Sequence, residues 1–266
     1  MRTQTTGVKH LKAGTMKLEI HSSREAAGAA AAQAAAEALK ELGTHLDLIR
    51  VIFATGASQL DMLEHLTGMA NLPWNKVCGF HLDEYVGISA EHPASFRRYL
   101  RERLTQKVGM KEFHEIDGSD PDPKQICQAY AEKLSASDLH LCLLGIGENG
   151  HLAFNDPPVA DFNDPLKVKI VQLDTVCREQ QAAEGWFETY KDVPEAAITL
   201  TIPTLFRVPK LIVSIPGNRK ATIMRRTLEE PISTECPSTI LRTHPDATIY
   251  LDPDSAAELD GIPSTL

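Results

Sequence analysis

Leu139-His140-Leu141-Cys142-Leu143-Leu144-Gly145-Ile146-Gly147-Glu148-Asn149-Gly150-His151 is a mostly apolar run of strand length that empties into a glycine-rich turn. A strand so continuously apolar is one buried on both faces, as in a parallel sheet with helices above and below. The three glycines let the backbone approach a ligand closely. They deliver His151 with a carboxylate on either side, Glu148 and Asp156. A carboxylate beside an imidazole fixes its tautomer and raises its pKa, as general acid–base work near neutral pH requires.

The same alternation extends outward in both directions. Apolar runs of strand length stand at Met16–Ile20, Ile49–Ala54, Val77–Leu82, Val168–Leu173, Ala197–Ile202, Lys210–Ile215 and Thr248–Leu251. Helix-like stretches separate them: an alanine-rich one to Leu42 opened by a Ser22/Glu25 capping box, then Ser58–Met69, Ser95–Leu104, Pro123–Leu134, Cys177–Tyr190 and Asn218–Leu228. The expected fold class is α/β, a single domain over residues 16–260, with a Rossmann-like, mostly parallel sheet flanked by helices on both faces. Residues 1–15 read as a polar N-terminal segment.

In such folds ligands bind beyond the carboxyl ends of the strands. After Ala54 comes Thr55-Gly56-Ala57-Ser58-Gln59, a turn into a helix whose amides, hydroxyls and dipole suit a phosphate. An ordinary helix start capped by Ser58 is the plainer reading of the same residues. After Leu82 come Asp83 and Glu84, adjacent carboxylates costly to bury without partners. Burial beside a like charge is expected to raise the pKa of one of them, which suits a base. His81 and Asp83 alternate onto one side, but with no third ligand nearby proton chemistry ranks above a metal site. After Ile215 come Pro216-Gly217-Asn218-Arg219-Lys220, where a cation in a first helical turn opposes the dipole unless an anion binds there.

The bulk properties narrow the function. A net charge of -9 with interspersed signs argues against general nucleic-acid binding. The 5 cysteines are scattered and never spaced Cys-x-x-Cys, as reduced, packed thiols are. No apolar run is long enough for a membrane span, and the polar N-terminus lacks a signal core, so no membrane partner and a cytoplasmic location are expected.

Taken together, Ala54 to Ser58, Leu82 to Gly87 with Glu91-His92-Pro93, Gly145 to Pro157, Gly217 to Lys220 and Pro237-Ser238-Thr239-Ile240-Leu241 resemble the glucosamine-6-phosphate deaminase/isomerase family. The resemblance runs from about residue 20 to 258. The related 6-phosphogluconolactonases carry Asp-Glu-Arg at the second strand end and a Ser-Leu-Phe-Pro run at the third. This chain has Tyr85 and Phe154-Asn155-Asp156-Pro157 instead.

The resemblance implies isomerising deamination of glucosamine 6-phosphate to fructose 6-phosphate and ammonia, without metal or organic cofactor. Asp83 would move a proton between C2 and C1, with Glu84 as its neighbour in the catalytic set. His151 would open the sugar ring, assisted by residues 149 and 156. Phosphate would be held by Thr55, Gly56, Ala57, Ser58 and Lys220, and by an arginine of a mobile lid within Val159–Trp186. Three positions depart from the family pattern: Asn149 replaces an acid, Asp156 replaces a glutamate, and Gln181 stands where the lid arginine is expected, with Arg178 one turn earlier as its substitute. The partner expected is a small sugar phosphate, with a homo-oligomer compatible. The alternatives are a sugar-phosphate lactone hydrolase and a non-catalytic sugar-phosphate sensor. A sensor of this fold would carry a DNA-binding helix-turn-helix ahead of the domain, for which Met1–Gly14 is too short.

Overall fold

In the third strand, Ile49, Val51 and Phe53 pack on one side of the sheet and Ile52 on the other, so every residue of the run is buried. The computed structural model describes residues 7–183, 185–259 and 261. Residues 1–6 of the polar segment, position 184 of the expected lid and position 260 at the expected domain end lie outside the described residues.

The elements are β1 (Lys9–Ala13), β2 (Met16–Ile20), α1 (Arg24–His45), β3 (Ile49–Phe53), α2 (Leu60–Gly68), β4 (Val77–His81), β5 (Asp83–Tyr85), α3 (Phe96–Leu100), β6 (Glu112–His114) and α4 (Pro123–Ser135). They continue as β7 (Leu141–Leu144), β8 (Val168–Gln172), α5 (Thr175–Ala183), β9 (Ala196–Leu200), α6 (Ile202–Phe206), β10 (Lys210–Ile215), α7 (Ala221–Glu229) and β11 (Ala247–Leu251). The main sheet has the order β1-β2-β11-β10-β7-β3-β4-β6. All its pairs are parallel except the β1–β2 hairpin. From β3 the chain builds toward β4 and β6, then returns to place β7 on the other side of β3. That reversal is the switch point where α/β folds bind ligands.

Helices cover both faces. Alanines 31, 32, 35 and 36 of α1, with Met62, Leu63 and Leu66 of α2, bury one face; Tyr130 and Leu134 of α4 and Ile223, Met224 and Leu228 of α7 bury the other. The N-cap of α1 is Ser23, whose Oγ accepts from the Ala26 N–H at 3.1 Å, one residue after the expected cap.

Larger features also differ from the sequence reading. β8 and β9 do not join the parallel sheet; with β5 they form a separate antiparallel sheet in the order β5-β9-β8. Residues 9–13, within the segment read as merely polar, form the edge strand β1. The helix expected over Cys177–Tyr190 is instead α5, which starts and ends earlier. Among the described residues no helix is long and apolar enough to cross a membrane, and all 5 cysteines are free and buried.

Candidate active site

The carboxyl ends of β10, β7 and β3 are adjacent, because β7 pairs with both of the others. Two of them end alike. Gly56 and Gly217 each have φ 92, left-handed backbone that glycine adopts without strain, and each turns the chain into a short 3-10 turn continuing into α2 or α7. Two helix starts, each with the positive end of its dipole, therefore open on one cleft of about 330 Å³. Thr55, Gly56, Ala57 and Ser58 line it from one turn, and Asn218, Arg219 and Lys220 from the other.

Ser58 does not cap α2, since no side chain does. Its Oγ accepts from the amide of Gln59 at 2.9 Å. That fully buried amide also reaches the Leu144 and Ser214 carbonyls, each at 3.4 Å, and so ties the β3 turn to β7 and β10. The Asp252 carboxylate accepts the Gly217 N–H at 3.0 Å and fixes the second turn.

The β7 turn brings His151 into the same cleft. A Cβ on Gly147 would overlap the His151 imidazole, so the glycine there is what lets the ring lie against the backbone. His151 Nδ1 stands 2.9 Å from Asp156 Oδ1, leaving the Nε2 edge as the other working atom. Asn149 serves both partners: its amide donates to Asp156 Oδ1 at 2.7 Å, and its carbonyl oxygen accepts the His151 N–H at 3.0 Å. Burial raises the Asp156 carboxyl, but the His151 imidazolium and hydrogen bonds from His151, Asn149 and Cys177 outweigh it and hold the pKa at about 2. Ala153, two residues after His151, has φ 52, a conformation uncommon outside glycine, at the wall of the cleft.

Asp83 also lines the cleft. Glu84 does not. It is fully buried, and its carboxylate accepts the N–H groups of Tyr85, Phe96 and Arg97 and the Ser95 hydroxyl at 2.8–3.1 Å. Arg97 Nε lies 3.4 Å away. Glu84 thus anchors the start of α3, and its placement removes it from the catalytic set read from the sequence. Burial pushes its pKa up against the opposing pull of those hydrogen bonds.

His81 faces the core rather than Asp83's cleft. Its Nε2 accepts the Ile116 N–H at 2.7 Å, and burial, then the nearby Arg97 charge, lowers its pKa to about 3. The conceivable His81–Asp83 metal pair does not form. Arg178 lies outside the cleft as well: its guanidinium donates to the Val193 and Lys191 carbonyls at 3.0 and 3.2 Å. From the same helix it is Gln181 that reaches the cleft wall, its Oε1 accepting from the Tyr85 hydroxyl at 2.7 Å. Arg24 and Arg219 also line the cleft, neither of them among the expected site residues, and Arg219 pairs with Glu148 at 2.6 Å. The signal was there for Arg219, since the dipole argument made for Lys220 applies equally to its neighbour.

A family model described as glucosamine-6-phosphate isomerases/6-phosphogluconolactonase matches residues 22–250. The chain belongs to this family. Within it, the glucosamine-6-phosphate deaminase of Exiguobacterium sibiricum is 33% identical over 227 residues, 83% of this chain and 85% of that one. The deaminase of another Exiguobacterium is 35% identical over 204 residues, 77% and 78% of the two chains. A solved structure of a monomeric glucosamine-6-phosphate deaminase matches with a TM-score of 0.82 at 28% identity, over 91% of this chain and 99% of that one. The 6-phosphogluconolactonase of Thermotoga maritima matches with a TM-score of 0.71 at 19% identity, a likeness of fold alone, over 90% of this chain and 99% of that one.

Proposed function

We propose that the chain catalyses isomerising deamination of an amino-sugar phosphate, glucosamine 6-phosphate plus water giving fructose 6-phosphate plus ammonia. The observation that carries this reading is the convergence of Asp83, the His151–Asp156 pair, and two glycine-turn helix starts with Lys220 on one cleft. The phosphate charge suits the helix N-termini and the Lys220 ammonium. His151 suits ring opening, in which the C1–O5 bond breaks, O5 gains a proton and the C1 hydroxyl loses one. Asp83 then removes the C2 proton and, after exchange with solvent in part of the turnovers, delivers a proton to C1. The amine-bearing carbon becomes an imine, and water releases ammonia from it; the net reaction is therefore both isomerisation and hydrolysis.

The names of the curated relatives support deamination over lactone hydrolysis. Tyr85 and Asn155 favour the same side. Tyr85 packs its buried ring against Phe96 and Phe154 and donates to Gln181. Asn155 donates to the Leu152 and Leu200 carbonyls, each at 2.8 Å. The test is ammonia release from glucosamine 6-phosphate, with the N-acetylated and galacto-configured analogues and a 6-phosphogluconolactone alongside. Ammonia in step with fructose 6-phosphate is expected; lactone hydrolysis without ammonia would replace this reading with the hydrolase.

A further inference from the structure

The carboxylate of Asp156 is held from a third side by a residue that no motif pointed to. Cys177 stands in the first turn of α5, almost wholly buried. Its Sγ lies 3.4 Å from Asp156 Oδ2, while the Oδ1 atom takes His151 Nδ1 at 2.9 Å and the Asn149 amide at 2.7 Å. The Cys177 backbone is fixed in turn, since its N–H donates to Asp174 Oδ1 at 2.8 Å. Burial and the adjacent Asp156 charge push the thiol pKa up, so the sulfur keeps its proton and acts as the donor.

We propose that Cys177 is a positioning residue whose thiol hydrogen bond holds the short Asp156 carboxylate against His151 and ties the orientation of that imidazole to helix α5. This rests on the reading of His151 as the ring-opening group. An aspartate reaches one methylene less far than a glutamate. Donors on both of its oxygens fix the plane of the carboxylate, and with it the ring that Oδ1 engages. Asn149 orients but carries no charge, so the charge beside the ring falls to Asp156. Other charged groups around this cluster are Asp83 and Asp174 near the thiol, and Lys220, Glu148 and Arg219 along the cleft. None of these stands between Cys177 and Asp156, which are in direct contact.

The test is the titration and tautomer of His151, followed by nitrogen-15 NMR without substrate in the wild type and in Cys177→Ala, Cys177→Val and Cys177→Ser. Without the thiol the carboxylate plane is no longer fixed, its pairing with the ring loosens, and the imidazolium is stabilised less. Alanine and valine should therefore lower the His151 midpoint by about half a pH unit, the scale of one hydrogen bond. Serine restores a donor and should titrate as the wild type does. In turnover, valine should lose about 3- to 10-fold with KM unchanged, and serine should recover it. Wild-type titration in the valine variant overturns the proposal, as does a serine variant shifted as far as valine, which would mean packing alone. If alanine does not fold, the valine–serine comparison decides. A wild type that releases no ammonia would defeat the assigned reaction while leaving the titration readable.

Discussion

Asp83 and Glu84 are consecutive residues of β5 that face opposite ways: Asp83 looks into the cleft, and Glu84 is sealed beneath the first turn of α3. Two carboxylates that look equivalent in the sequence therefore separate by function. Glu84→Gln takes the charged acceptor from all four donors and turns an NH2 group toward two of them, and hydrogen bonds to charged groups are worth about 1.5–3 kcal/mol each. The unfolding midpoint should fall by several degrees while turnover per folded molecule stays within a few-fold of wild type. Thermal unfolding and active-site-normalised rates check this. Turnover lost without a change in stability would return Glu84 to the chemistry.

Lys220 opens α7 at the cleft. Replacing it with methionine keeps the stem and removes the charge. KM should rise about 10- to 100-fold, with a smaller fall in turnover, as loss of uniform binding to a phosphate does. Arg178→Ala, by contrast, breaks contacts with the 191–193 segment rather than with the cleft, so KM should change less than for Lys220. Steady-state kinetics on both variants, at two salt concentrations, make the comparison.

Gly147→Ala introduces a Cβ where the His151 ring lies. The ring must move, and its pairing with Asp156 at 2.9 Å moves with it. Turnover should fall by at least about 10-fold, since small displacements of a positioned group are costly, and the His151 imidazole resonances should shift. Unchanged resonances would show that the turn can yield instead.

Asp156 has a folded pKa of about 2 against an ordinary 3.8. A carboxyl depressed on folding contributes stability above its unfolded pKa and loses it as the pH falls through the folded value. The shift corresponds to about 2 kcal/mol. Between about pH 5 and pH 2 the wild type should therefore lose more urea stability than Asp156→Asn does. Parallel losses in the two proteins would mean that the acid limb belongs to other groups.

Much of this architecture is legible along the chain, because buried parallel strands are continuous apolar runs and each ends in a recognisable turn. β6 escapes because Glu112-Phe113-His114 is three residues long and mostly polar. β8 and β9 are legible as strands, but a run of apolar residues does not say which strand it pairs with; β9 takes β5 and β8 as antiparallel partners. In β5, alternation separates Asp83 from Glu84 without saying which side is the cleft. In α5, choosing between Arg178 and Gln181 needs the helix phase, which depends on a start at Thr175 set by the Asp174 carboxylate. Cys177 carried no signal at all, since its role depends on a contact with Asp156 that only the folded chain brings about.

The proposed reaction gives Asp83 the proton transfer between C2 and C1 of the open-chain sugar. Asp83→Asn keeps the size and hydrogen bonding of the side chain but cannot accept that proton. The direct measurement is incorporation of solvent deuterium at C1 or C2 during turnover of glucosamine 6-phosphate in heavy water, followed by NMR in the wild type and in Asp83→Asn. Incorporation by the wild type, slowed at least about 100-fold in the variant with substrate binding nearly unchanged, is the predicted result. Incorporation by Asp83→Asn at the wild-type rate would contradict it and assign the base to another residue of the cleft.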